Sequence, residues 1–264
     1  MKKNIFGLTK KRRCMVRLQE IINFLRPIDA GYELIRLGNP DGDGGYLVPD
    51  DLDGISHCFS PGVDKMADFE KDMIKRGIAC YLADGTVDAP PVQDEMINFT
   101  QKNLGSEDTS PKETELSSSP PTMRLDTWMK ESPYTGDLIL QMDIEGHEYE
   151  VLNSVQNEIL RKFRIIVIEL HGMGDLVRRK RRSKDRIIYE VLRKLSTDFS
   201  VVHVHPNSVA AIKLWENYEI PGLLEITFLR KDRIHNPKPI KKLPHPLDRP
   251  NMPGHPEISL DKFL

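Results

Sequence analysis

Four side chains suited to acid–base or metal chemistry close two apolar runs. They are Asp143 and Glu145 in Asp137-Leu-Ile-Leu-Gln-Met-Asp-Ile-Glu-Gly146, and Glu169 and His171 in Arg164-Ile-Ile-Val-Ile-Glu-Leu-His-Gly172. A single carboxylate at the end of a strand usually caps a helix or joins a surface ion pair, and a single histidine there usually makes a structural hydrogen bond. Three carboxylates at the ends of adjacent strands are different. Each is costly to bury ionised, and together they raise one another's pKa. Two chemistries relieve that conflict. Asp143 or Glu145 can act as a general base for a hydroxyl nucleophile. Alternatively Asp143 and Glu169, joined by His171, can hold Mg²⁺ or a similar hard cation that orients the hydroxyl.

The elements that must position these groups follow from spacing. A helical stretch, Glu148 to Lys162, separates the two runs. Strand, helix and strand make a parallel βαβ unit, whose strand C-termini form the ligand crevice. A second half-unit lies upstream. Ile55 to Phe59 reads as a strand, Ser60-Pro-Gly-Val-Asp64 as a turn, and Met66 to Arg76 as a helix with Met66, Phe69, Met73 and Ile74 on one face. Gly77 ends that helix, and a strand from Ile78 to Ala83 leads to Asp84. An acid about 20 residues beyond a glycine turn is where such folds accept the ribose hydroxyls of a nucleotide-like cofactor. A plain turn acid is the alternative for Asp84.

Other segments frame this core. Gly38-Asn-Pro-Asp-Gly-Asp-Gly-Gly-Tyr46 reads either as a hairpin turn or as a ligand-contacting loop. Met96 to Leu104 reads as a strand, Gly105 to Thr122 as a loop with a short strand near Thr114 to Leu116, and Met123 to Glu131 as a short helix. Beyond His171 a basic run, Arg178 to Arg186, borders the expected cleft; it is either a solvated loop or an attractor for an anionic acceptor such as a phosphorylated sugar or acidic glycan. A helix from Arg186 to Leu195 follows. Next comes a strand from Phe199 to His205, with His203 and His205 on one face and Val202 and Val204 on the other. The last strand runs from Ile220 to Leu229 with a bulge at Pro221-Gly222. An amphipathic helix, Val16 to Leu25, lies near the N-terminus, and seven prolines in the thirty residues from His235 mark an extended wrap.

Composition excludes several classes. A net charge of −2 gives no overall field for nucleic acid or anionic membrane. No apolar run approaches the ~20 residues of a membrane span, and the first 25 residues are too polar for a signal core. Cys14, Cys58 and Cys80 have no metal-binding spacing, and an odd count fits a reducing compartment. The expectation is a cytoplasmic protein with no nucleic-acid partner.

Met123-Arg-Leu-Asp126, the Asp137–Glu148 block, Val151-Leu152 and Ile168-Glu-Leu-His171 together resemble the FkbM-type methyltransferase domain of the S-adenosylmethionine-dependent superfamily. Asp43-Gly-Gly-Tyr46, Phe59-Ser-Pro-Gly-Val-Asp64, Val202-His-Val-His205 with Asn207, and Pro244-His-Pro-Leu-Asp248 with Asn251 are similar to the methyltransferase-like 24 branch. The resemblance implies an α/β, Rossmann-like class I fold: a mostly parallel seven-stranded sheet, helices on both faces, and an antiparallel last strand. It implies S-adenosylmethionine as cofactor, held by Ser60, Gly62, Asp64, Asp84 and Asp143. Catalytic roles fall to Asp143, Glu145 and His171. The first loop, Ser60 to Asp64, departs from the family pattern in having one glycine. The expected organisation is a lead over residues 1–30, a methyltransferase domain over 31–234 and a wrap over 235–264. The expected activity is O-methylation of a small molecule or sugar. A non-catalytic scaffold with the same sheet, or a metal-dependent hydrolase using the carboxylate and histidine cluster, are the alternatives.

Overall fold

The computed structural model describes residues 2–109, 120–177, 182–240, 242–252 and 254–264. The expected strand near Thr114 to Leu116 and the first four residues of the basic run lie outside these. A long helix α1 (Lys2–Leu25) opens the chain, followed by β1 (Ile28–Asp29) and an antiparallel hairpin of β2 (Leu34–Gly38) and β3 (Gly45–Pro49). Then come β4 (Ile55–Pro61), α2 (Asp68–Lys75), β5 (Ala79–Ala83) and β6 (Ile97–Thr100). A small pair, β7 (Asn103–Leu104) and β8 (Thr122–Met123), precedes α3 (Leu125–Met129). The second half holds β9 (Asp137–Met142), α4 (Glu148–Ser154), α5 (Asn157–Leu160), β10 (Phe163–His171), α6 (Arg182–Asp198) and β11 (Phe199–Pro206). A hairpin of β12 (Lys213–Trp215) and β13 (Tyr218–Ile220), then β14 (Leu223–Arg230) and β15 (Lys238–Pro239), complete it.

The central sheet has seven strands in the order β11-β14-β10-β9-β4-β5-β6. Strands β10, β9, β4, β5 and β6 pair in parallel, and β14 runs antiparallel between β10 and β11. This is a Rossmann-like α/β sheet whose order reverses beside β4, and the crevice at such a reversal is where ligands bind. The central strands are near-continuous apolar runs because both faces are covered. Leu138, Leu140, Met142, Ile166 and Ile168 bury into one core with Leu18, Ile21 and Leu25 of α1 and Val191 and Leu195 of α6. Ile139, Ile165 and Val167 bury into the other with Phe69 and Met73 of α2 and Leu37 and Val48 of the hairpin. Helices therefore lie on both faces, and on the second face the hairpin shares the cover with α2. No helix among the described residues is long and apolar enough to cross a membrane.

Several expectations need correction. The helix expected over Glu148 to Lys162 is two helices, because Val155 and Gln156 are extended. Met66 precedes α2 and is 49 % exposed, so it is not part of the buried face. The last strand begins after Pro221-Gly222, and Tyr218–Ile220 pairs instead with Lys213–Trp215. In β11 the register slips between Val201 and His203. That bulge turns Val202 into the second core while Val201 and Val204 stay in the first, so Val202 and Val204 do not share a face. The C-terminal segment crosses back over the molecule: β15 pairs with β1, and Leu260 and Phe263 are buried in the first core.

Candidate active site

The turn after β4 forms the floor of the site. Gly62 has φ +88°, and a Cβ there would sit 1.5 Å from the backbone oxygen of Asp143. Only glycine fits, both for its backbone angle and for this approach. Gly62 N–H donates to the Ala83 carbonyl at 2.9 Å, and Asp143 N–H donates to the Pro61 carbonyl at 3.3 Å. The turn is thereby tied to the ends of β5 and β9. Asp64 N–H donates to Asp84 Oδ2 at 2.9 Å, while Asp84 Oδ1 accepts from Thr86 N–H and its hydroxyl at 2.7 and 2.6 Å.

A cavity of about 770 Å³ opens over this floor. That volume suits a small ligand plus a second small group. Gly62, Asp64, Asp84, Asp143 and Glu145 line it, as do Asp43, Gly44 and Tyr46 of the hairpin loop. The glycine-rich Gly38–Tyr46 stretch thus both turns the chain and faces the cavity. Ser60, expected among the cofactor ligands, is not in the lining. It is fully buried, its hydroxyl meets Gln141 Oε1 at 2.7 Å, and it is hydrogen-bonded to Glu70. Burial raises the Glu70 pKa, and the hydroxyl donated by Ser60 offsets part of that rise. The hydroxyl is consumed by the fold behind the loop.

Asp143 occupies the centre. Burial raises its carboxyl to about 6, and it shares a hydrogen bond with Glu169. Its Oδ1 is buried with no hydrogen-bond partner. Glu169 is pushed up to about 10 by burial and then by the charges of Asp143 and Glu225. It is therefore the protonated member of the pair and the donor to Asp143. His171 lies on the other side, Nε2 3.9 Å from Asp143 and 3.4 Å from Glu145. Burial alone would lower the histidine pKa, but Glu148, Asp143 and Glu145 outweigh it and hold it above its ordinary value. Glu145 itself is 87 % exposed, with φ +55°.

Glu148 was not among the site residues read from the sequence. It is fully buried at the start of α4, and its Oε1 accepts from Ile144 N–H, Gly146 N–H and His171 Nδ1 at 3.2, 3.0 and 3.0 Å. One carboxylate thus fixes both the Asp143–Gly146 turn and the His171 ring. The signal was its place at the first turn of a helix, where an acid satisfies free backbone donors.

Asp143 and Glu169, the expected metal pair, share a hydrogen bond, but among the described residues no group of three converging ligand atoms contains both. The groups whose ligand atoms converge are Asp143 with Glu145 and His171, and separately Glu169 with Asp43 and Glu225. In the second set Glu169 stands opposite Glu225, and His205 opposite Glu225, across β10, β14 and β11. Asn207 donates to Glu169 at 2.8 Å and to Asp43 at 3.3 Å. Asn251 donates to Asp43 at 3.0 Å and is also bonded to Glu225. His205 bridges Glu225 and Glu257, each at 3.1 Å. His203 meets Asp248 at 2.9 Å. His203 and His205 therefore bind the C-terminal segment and do not face the cavity.

Residues 77–196 match the family model of the methyltransferase FkbM domain. That stretch is similar to a methyltransferase domain. The matched stretch contains Asp84, Asp143, Glu145, Glu169 and His171; the Gly62 turn, the hairpin and the C-terminal segment lie outside it. No curated protein matches the chain.

Proposed function

We propose that this methyltransferase uses S-adenosylmethionine and delivers the methyl group to a hydroxyl of a small molecule or sugar, with Asp143 as general base. The observation that carries this reading is the Asp143 carboxylate. It lines the cavity at the end of β9, and one buried oxygen lacks any partner within the protein. The side chain is 28 % exposed, so an acceptor hydroxyl can approach the carboxylate from the cavity, while its buried Oδ1 lies 3.9 Å from His171 Nε2. The residues present fit the cofactor: the Gly62 turn gives close backbone approach, Asp64 and Asp84 stand at the ends of β4 and β5, and acids suit a cationic group. When bound, S-adenosylmethionine supplies an electrophilic methyl group. The chain's own part is to align the acceptor oxygen, take its proton on Asp143 and exclude water. Glu169 holds that carboxylate from behind, and Glu148 fixes His171 at its side. No Lys or Arg lines the cavity among the described residues, which favours a neutral acceptor over the anionic one expected from the basic run.

Thermal unfolding with S-adenosylmethionine or its demethylated product tests the reading. Ligand at 100 times its Kd should add about 2.7 kcal/mol of stability. No stabilisation by either ligand would overturn it and return the scaffold alternative. A second reading rests on the convergence of Asp143, Glu145 and His171, with Glu148 orienting the ring as an outer carboxylate does in metal sites. There a divalent cation held by the trio polarises the hydroxyl. Full activity in chelator removes it; loss restored by Mg²⁺ or Mn²⁺ supports it.

A further inference from the structure

Resting on the acceptor reading above and narrowing it, we propose that the acceptor is an amphiphile. Its hydroxyl end enters the cavity, and an apolar chain lies across a lip formed by Met66, Val209 and Met252. Six large apolar side chains are exposed among the described residues: Val16, Met66, Val209, Ile212, Leu214 and Met252. One such residue alone is ordinary, whereas a group of them beside a cavity marks a binding surface. Five of the six lie on segments at the C-terminal rim of the sheet. Met66 follows β4, and Val209, Ile212 and Leu214 lie between the end of β11 and the start of β14. Met252 follows Asn251, which is bonded to Asp43 and Glu225.

Three of the five are tied to one edge of the cavity. Asp43 and Gly44 line it, and so does Met66, whose Cε lies 3.2 Å from where a Gly44 Cβ would stand. Asn207 donates to Asp43 Oδ1 at 3.3 Å and accepts from Val209 N–H at 3.0 Å. Asn251 donates to the same Asp43 oxygen at 3.0 Å, and Met252 is the next residue. The hydrogen bonds that fasten the hairpin loop to β11 and to the C-terminal segment thus bring three apolar residues, each between 41 % and 59 % exposed, to a single lip.

A bare sugar held through its hydroxyls would leave this lip in water. A chain laid on the lip removes apolar surface from water on both partners, and each methylene so covered is worth about two- to fourfold in affinity. Val63 and Phe69 carry the apolar surface on into the cavity, so the chain and the reacting hydroxyl can belong to one molecule. Glu145 and Glu150 are both exposed at the cavity, which disfavours an anionic bilayer as the occupant of the lip.

Methyl NMR of protein carrying carbon-13 in its methionine methyl groups tests this. The protein is saturated with S-adenosylhomocysteine and titrated with 1-butanol, 1-hexanol and 1-octanol, the simplest molecules that join a hydroxyl to a chain. Met66→Leu and Met252→Leu assign the two resonances. Both should shift, and Kd should fall about twentyfold or more from butanol to octanol. Val209→Asp should flatten that series and leave the affinity for S-adenosylhomocysteine unchanged. A wild-type series that is flat, or that moves neither resonance, overturns the inference and leaves the cofactor assignment standing. Protein that does not bind S-adenosylhomocysteine overturns the reading on which the inference rests. Neutral phosphatidylcholine vesicles that sediment the wild type but not Val209→Asp, with no response to the alcohols, would assign the lip to a membrane and overturn the amphiphilic acceptor.

Discussion

Two groups of buried carboxylates meet at Glu169 and are treated differently by the fold. On the β14 side, Glu225 and Asp43 receive hydrogen bonds from Asn207, Asn251 and His205, and every one of those donors comes from the protein itself. On the β9 side, Asp143 lines the cavity, receives Glu169 from behind, and keeps one buried oxygen without a hydrogen bond, 3.9 Å from His171 Nε2. The residue types are the same and the sheet is the same. Carboxylates supplied with donors by the protein itself mark a structural cluster that fastens the C-terminal segment to the sheet. A carboxylate that lines a cavity and is not fully bonded by the protein marks a place for a ligand.

Four experiments sharpen or break that contrast. Asp143→Asn removes the proposed base and should lower methyl transfer by about 10²–10⁴-fold with little change in unfolding temperature. A single-turnover assay against stability in the same preparation checks it, and retained activity would assign the base elsewhere. The pH profile belongs to this test. Asp143 must be ionised to accept a proton and its carboxyl is raised to about 6, so kcat/KM should climb as pH rises through about 6. Gly62→Ala should cost about 3 kcal/mol, because positive φ adds strain and the new Cβ meets a backbone carbonyl. Gly77→Ala, also at positive φ but with nothing within 4 Å, should cost only about 1 kcal/mol. Equal losses in urea titration would show that the close approach to Asp143 does not matter.

The satisfied cluster predicts a stability effect without a catalytic one. Burial opposes charging of His205, but Glu225, Asp248 and Glu257 outweigh it and raise its pKa to about 9. A raised histidine stabilises the fold fully below its unfolded value and loses that contribution as pH climbs through about 9. Urea midpoints should therefore fall between pH 7 and pH 10. His205→Gln should flatten the part of that fall due to this ring, and should cost about 3 kcal/mol at pH 7 by removing the cationic partner of buried Glu225. Loss of activity in folded His205→Gln would show that the two clusters are not separable. Glu145→Gln should be the mildest, changing turnover by no more than about threefold, since an exposed side chain is well screened. A larger loss, restored by added Mn²⁺, would favour the metal reading.

Much of the sheet was legible because the central strands carry it in their composition. Leu138 to Met142 and Phe163 to Leu170 are apolar on both faces, and only a strand covered on both sides needs that. The ends were legible through Gly62, Asp84 and Asp143, where a turn residue or an acid follows an apolar run. Glu148 and Glu225 were not. Each sits in a segment whose pattern reads as helix start or buried strand, and its role depends on a partner 23 or 20 residues away in His171 or His205. Ser60 misled for the converse reason: its position fits a cofactor loop, but Glu70 and Gln141 claim its hydroxyl from the far side. Val202 misled because a bulge adds one residue to the alternation, and no local signal announces it.

By itself the sequence determined the central strands and their alternation with helices, the rim on which the acids fall, and the glycine that the first turn requires, since these follow from periodicity and backbone sterics over a few residues. Tertiary structure decided which carboxylates are satisfied, because that depends on donors brought from the hairpin, the β11 end and the C-terminal segment, far apart in the chain. The burial that fixes protonation is likewise a property of the packed sheet, and it is what leaves Glu169 neutral and Asp143 ready to take a proton.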